Sequence, residues 1–194
     1  KFKTTKSGKK SDGGGAVFMK RDHSIDNDER PLDEWETFRF VCTYLHRPPD
    51  KDIYCEDMLM MCVYYGCKMC PEINVPAVMD HFNRRGHQGY LHFVVNKKTG
   101  RYEKNPGYNT GVKELETMFR LYHAYIENHG YRIKHDDLLT QLQEITDDMG
   151  DYDLFTAGGE CLMAIEDDES FFFGDRKDDE DGESIDDYFQ ERTH

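Results

Sequence analysis

The apolar period of this chain changes from two to about 3.6 within a few residues, and that change constrains the fold most. In ETFRFVCTYLH, Phe38, Phe40, Cys42 and Tyr44 fall on one face, the alternation of a half-buried strand. RPPD ends it, because Pro48 and Pro49 have no N–H to give a ladder. In DIYCEDMLMMCVYYG the apolar residues then recur at 55, 58, 59, 62 and 63, which is helical spacing, and Gly66 supplies a stop.

The same exchange of periods continues along the chain. AVFMKRD, after the glycine run of SDGGG, reads as a short strand, and HSIDNDERPLDEW as a polar connection. CKMCPEI reads as a compact strand ending at Pro71-Glu72. VPAVMDHFNRRG reads as a helix, with Pro76 in its first turn and Gly86 past its end. YLHFVVN is a further strand, and NKKTGRYEKNPGYNTG a basic loop. VKELETMFRLYHAYIENHG carries Leu115, Met118, Phe119, Tyr122, Tyr125 and Ile126 on one helical stripe. DDLLTQLQEITDD is a helix, and DYDLFTAGGECLMAIE a last helix with small residues in its middle. Strands and helices alternate without an internal repeat, so the expected class is α/β with one main sheet.

The 194 residues carry a net charge of −14, which taken alone disfavours a nucleic-acid partner. The charge is unevenly placed. Residues 166–194 hold 13 acids and 3 bases, leaving 26 acids and 22 bases, a net of −4, for the rest. Like-charge runs such as EDDE and DRKDDEDGE cannot bury enough apolar surface to offset ordering, so 166–194 is expected to be a disordered acidic tail. Its FFF at 171–173 and IDDYF at 185–189 are the patches able to dock. Residues 1–21 are the reverse, with Lys1, Lys3, Lys6, Lys9, Lys10, Lys20 and Arg21 against Asp12 alone. Lys1 stands where an initiator Met is expected, which suggests a fragment of a longer protein. No apolar run approaches the ~20 residues of a membrane span, and the first residues lack the apolar core of a signal peptide.

Cys67-x-x-Cys70, with Cys62 nearby, invites a zinc reading, but no second cysteine pair completes four ligands and His81 fits poorly. The cysteines are expected to act as small hydrophobes, without disulfides. The nine histidines show no ligand-like spacing, and no G-x-x-x-x-G-K-[ST] loop for ATP occurs.

Acids at strand ends and helix starts are harder to dismiss. Asp12 lies in the glycine-rich turn, Glu72 at the end of an apolar strand, and Asp151 and Asp153 at the start of the last helix. Such positions can converge at one edge of a sheet, where carboxylates repel unless cations lie between them. Two divalent ions about 4 Å apart do this and promote phosphodiester cleavage, and magnesium and manganese prefer such oxygen ligands. Each acid also has a plain role: Asp151 as an N-cap, Glu72 as a surface acid, Asp12 as a turn residue.

Four stretches, in order, resemble the C-terminal nuclease domain of phage large terminases. KSDGGGAVFMKRD is similar to the Gly/Asp loop and second strand of that family. YLHRPPDKDIYCEDMLMMCVYYGCKMCPEINVPAVMDHF is similar to its strand, "GRP" turn, helix, Tyr-Tyr, strand and "E-x-N" segment, with Glu72 and Asn74 on the acidic motif. GYNTGVKELETMFRLYHAYIENHGYRIKHDDLLTQLQEI resembles the turn, long helix and "L-x-Q-L" helix that follow. DYDLFTAGGECLMA resembles the closing "D-x-x-x-A" helix, with Asp153 and Ala157 in place. The resemblance implies an RNase H-like mixed central sheet flanked by helices over residues 1–165, with the acidic tail at 166–194.

It further implies a metal-dependent endonuclease that cuts concatemeric double-stranded DNA with two Mg2+ or Mn2+ ions. Glu72 and Asp153 would be catalytic metal ligands, with Asp151 a neighbouring ligand and Asp148 a rival for the last position. The family's first catalytic Asp precedes the glycine-rich loop, yet residues 1–9 hold no acid. Either that strand lies before Lys1 or Asp12 takes the role. Lys9, Lys10, Lys97, Lys98 and Arg101 are the expected DNA contacts, with Lys6, Arg84, Arg85 and Lys104 as further candidates, all binding backbone rather than reading bases. The implied partners are an upstream ATPase motor domain, the portal protein and the small terminase subunit, at a procapsid in the host cytoplasm and with no membrane. The alternatives are a non-catalytic interaction module on the same fold and a resolvase-type nuclease.

Overall fold

The structure, a computed structural model, describes residues 13–19, 39–96, 98–145 and 152–173. β1 (Gly13–Met19) and β2 (Arg39–His46) form an antiparallel pair. Val17 faces Cys42 and Phe18 faces Phe40, so one extra residue on β2 bulges between them. β1 begins within the glycine run rather than at Ala16. The run is extended because it is pressed from two sides. A Cβ on Gly13 would stand 2.6 Å from the Tyr54 ring, and one on Gly14 2.4 Å from the Asp153 carbonyl oxygen.

α1 (Lys51–Tyr65) starts at Asp50, whose side chain accepts from Asp52 N at 3.0 Å, and ends at Gly66 in the left-handed conformation. α2 (Ala77–Arg84) follows Pro76. Cys55, Met58, Leu59 and Cys62 of α1 pack with Val78 and Phe82 of α2 as one apolar cluster. At its rim His81 meets Glu56 at 2.7 Å and Arg85 meets Glu56 at 2.9 Å.

β3 (Val95–Asn96) and β4 (Arg101–Tyr102) make a small hairpin. α3 (Val112–His129), α4 (Asp136–Glu144) and α5 (Asp153–Phe173) complete the fold. Met118, Tyr122 and Tyr125 of α3, Leu138 of α4, Leu154 and Phe155 of α5 and Phe40 of β2 form the second cluster. Full burial of side chains such as Phe82 and Phe155 stabilises by about 1.5–3 kcal/mol each. The small residues of α5 let α3 approach it. A Cβ on Gly159 would lie 2.6 Å from Met118, and the Tyr122 hydroxyl, which donates to the Phe155 carbonyl at 3.0 Å, runs over Gly158.

The molecule is thus mixed α/β, but the described residues do not join into one central sheet. They show two two-stranded antiparallel sheets and two isolated parallel bridges, Met69 with Leu91 and Glu72 with Tyr108. Neither expected strand, CKMCPEI nor YLHFVVN, forms as a continuous ladder, because each changes partner midway. Met69 N donates to Tyr90 O and His92 N to Met69 O. Pro71 has no N–H, and beyond it Ile73 N donates to Tyr108 O. Leu91 pairs with Met69 while Val95 pairs with Tyr102.

Two further boundaries differ from the sequence reading. Phe119 and Ile126 are 42% and 45% exposed, so the buried stripe of α3 is narrower than its apolar pattern. α5 runs on to Phe173, past the expected start of the acidic tail at 166, because its continuation is anchored. Arg120 pairs with Glu166 at 2.6 Å, and the Tyr108 hydroxyl donates to Asp167. Residues 174–194 lie outside the described residues.

Candidate functional site

A cleft of about 1060 Å3 is lined by residues of both apolar clusters, by β1 and by residues 67–72. Glu72, Asp80, Asp153 and Glu160 line it.

Glu72 is placed by the backbone around it. Tyr108 N donates to Pro71 O at 3.2 Å, and Tyr108 O accepts from Ile73 N at 2.8 Å. That clamp depends on Gly107, whose φ of 85° is left-handed and whose Cβ would fall 1.7 Å from Pro71 O. The Asn74 side-chain amide stands 3.5 Å from Glu72 Oε1, a long hydrogen bond. Asp153 opens α5. Gln141 Oε1 of α4 accepts from Leu154 N at 2.8 Å and Phe155 N at 3.0 Å, so a side chain from another helix satisfies the first-turn N–H groups. The bare Gly14 backbone lets Asp153 sit against β1.

Glu160 was missed by the sequence reading. It lies seven residues after Asp153, two helical turns along the same face of α5. It is only 6% exposed, and Oε1 has no hydrogen-bond partner among the described residues. Burial, reinforced by the charge of Glu72, pushes its carboxyl well above the usual carboxylate range. The nearby Thr110 hydroxyl tempers this, although Thr110 Oγ1 itself reaches no hydrogen-bonding geometry with a described residue. The signal was the seven-residue spacing of two acids in a stretch, 153–165, whose other residues are small or apolar apart from Thr156.

Tyr54 stands beside these acids and donates to Gly14 O at 2.8 Å. Burial, then the charges of Cys55, Glu160 and Asp153, pushes its hydroxyl well above the ordinary tyrosine value, so it stays a neutral donor. Lys51 and Lys68, which the sequence reading did not single out, bring positive charge to the cleft.

Asp12, Asp148 and Asp151 lie outside the described residues, as do Lys6, Lys9, Lys10 and Lys97. Lys98 and Arg101 are exposed on the β3–β4 hairpin, away from the cleft lining, and Lys104 is exposed just after it. Arg84 and Arg85 are engaged by acids, Arg84 with Asp52 at 3.6 Å and Arg85 with Glu56 at 2.9 Å.

Among the described residues no group of three or more His, Cys, Asp or Glu side chains stands where it could hold a metal ion together. The donors facing the cleft are nevertheless hard carboxylate oxygens, one of them buried and orphaned. They fit magnesium or manganese, which bind through one or two carboxylates plus water and phosphate. The six cysteines are free thiols, with Cys55 and Cys62 packed in the first apolar cluster. No helix among the described residues is long and apolar enough to cross a membrane. Compared with known proteins, the chain matches no family model, no curated protein and no solved structure.

Proposed function

We propose that this chain is the metal-dependent endonuclease domain of a viral DNA-packaging terminase, cutting concatemeric double-stranded DNA. The observation that carries the reading is that Glu72 and Asp153, remote in sequence and matched to two acidic motifs of that family, line one cleft beside the glycine run of β1. In this reading the fold is RNase H-like and the cofactors are two Mg2+ or Mn2+ ions. When bound, such ions supply Lewis-acid activation of water and stabilise the leaving oxygen.

The chain's own residues do the rest. Glu72 and Asp153 hold the ions, Asn74 steadies Glu72, and Gln141 fixes the end of α5 from which Asp153 projects. Tyr54, kept neutral, spends its one hydroxyl proton on the Gly14 carbonyl, which ties α1 to β1 at the cleft, and adds no competing charge. Lys51 and Lys68 attract the phosphodiester to a cleft whose acids would otherwise repel it. Lys98, Arg101 and Lys104 extend the contact to DNA backbone. The upstream ATPase motor, the portal and the small terminase subunit are the partners of this reading, at the procapsid in the host cytoplasm.

Nicking of supercoiled plasmid by the 194-residue chain tests it. Cleavage is expected with Mn2+, none with EDTA, and none with Glu72→Ala or Asp153→Ala. Cleavage unaltered in both variants would overturn the assignment. A plasmid left intact by the wild type would favour the non-catalytic interaction module, and preference for branched over linear duplex would favour the resolvase.

A further inference from the structure

We propose that Glu160 and Glu72 form the seat of one divalent, oxygen-preferring cation on the floor of the cleft, with Glu160 supplying its carboxylate from the buried side. The proposal rests on reading the cleft as a cation site, and adds to it a ligand that no family motif marks.

Glu160 is 6% exposed, lines the cleft, and leaves Oε1 buried without a hydrogen-bond partner among the described residues. Thr110 Oγ1, lining the same cleft, is likewise buried, and it eases the Glu160 charge without reaching full hydrogen-bonding geometry. Native proteins rarely leave buried polar atoms in this state, and a bound ion or water commonly satisfies them. A carboxylate in such a place needs a proton or a cation beside it, because burial and a second carboxylate both disfavour its charge. Glu72 lines the same cleft, and its charge acts on Glu160 in the same direction as burial.

Asp153 plays a different part. It lies two turns from Glu160, a rise of about 10.5 Å, and both side chains lean the same way along α5. Two oxygens on one small cation are only about 4 Å apart. Glu160 therefore pairs with Glu72, and Asp153 faces a separate position nearer the Gly14 end of the cleft. Two carboxylates with water and a substrate phosphate make up the coordination that magnesium ordinarily takes.

Manganese binding, read from loss of the free-ion EPR signal, tests this on the 194-residue chain and on Glu160→Gln, Glu160→Asp and Glu72→Gln. Circular dichroism and Tm in EDTA report folding. The wild type is expected to bind Mn2+. Glu160→Gln should bind about tenfold more weakly or worse, with an unchanged spectrum and a Tm in EDTA close to wild type, because the amide has the shape of the neutral acid that stands there without a cation. Glu160→Asp should fold and bind several-fold more weakly, and it decides the matter if Glu160→Gln does not fold. Wild-type affinity in a folded Glu160 variant, with affinity lost in Glu72→Gln, would overturn the role of Glu160 while leaving the cleft a metal site. Binding that needs both glutamates on a chain that leaves plasmid uncut would keep the seat and remove the nuclease. No Mn2+ binding by the wild type would overturn both.

Discussion

Replacing Gly158 by alanine sets two sizeable effects against each other. In a free helix interior the change stabilises by about 1 kcal/mol. Here the added Cβ would stand 2.2 Å from the Tyr122 hydroxyl oxygen, far inside the ordinary contact of 3.4 Å, and 3.1 and 3.3 Å from the Phe40 ring. Tyr122 and Phe40 are each only 2% exposed, so neither can swing into solvent. Overpacking of this kind costs about 1–3 kcal/mol. Displacing the Tyr122 hydroxyl from the Phe155 carbonyl costs about 1 kcal/mol more. The net expectation is a loss of about 2 kcal/mol, or a Tm lower by about 4–8 °C for a chain of this size. Thermal and urea unfolding followed by circular dichroism would measure it. Tyr122→Phe deletes the oxygen that the new methyl meets. In that background Gly158→Ala should cost at least about 1 kcal/mol less, a coupling well above the ~0.5 kcal/mol scatter of independent sites. Stabilisation by Gly158→Ala, or strict additivity with Tyr122→Phe, would refute the α3–α5 contact that positions both Asp153 and Glu160.

Gly107→Ala should cost about 1–3 kcal/mol for its left-handed backbone alone, and more from contact with Pro71 O; cation binding at Glu72 should weaken with it, and a variant as stable and as competent as wild type would contradict the clamp. The hydrogen bond from His81, with that from Arg85, holds Glu56 below the usual carboxylate range against an opposing burial effect. Its contribution is therefore present above about pH 4.5 and lost as pH falls through the lower folded value. Glu56→Gln should flatten the acid limb of stability against pH, and an unchanged limb would count against the pair. The hydrogen bond from the Cys62 thiol holds the Cys67 thiol below the ordinary cysteine value despite its burial. Its alkylation rate should rise at a pH below that of an ordinary thiol and vanish as a fast phase in Cys67→Ser, whereas a rise only at about pH 8.5 would contradict the pairing.

Local chemistry was legible in the sequence where it acts locally. Gly66 ends α1, Pro76 and Gly86 bracket α2, and the alternation around Phe40 and Cys42 is β2. Glu72 and Asp153 could be singled out because strand ends and helix starts tend to meet at clefts. What stayed hidden depends on partners distant in the chain. Residues 90–96 carry a strand pattern, yet Leu91 turns to Met69 and Val95 to Tyr102, and no local spacing records that division. The run at 13–15 reads as a loop because glycine disfavours strands, until Tyr54 and Asp153 are found pressed against it. Glu160 lacks a motif, and its importance comes from its burial in the cleft that Thr110 and Glu72 also line. Glu166 and Asp167 read as tail by charge, but Arg120 and Tyr108 hold them on the body.

The dependence of Tm on Mn2+ for the wild type, Glu72→Ala and Asp153→Ala tests the central claim, that these two carboxylates serve one cation-binding cleft. At a concentration 100 times the dissociation constant the wild type should gain about 2.7 kcal/mol, a rise of about 5–11 °C. Each variant should remain folded in EDTA and rise by less than the wild type, with Glu72→Ala losing most of the gain. A wild-type response retained by either variant would contradict the claim.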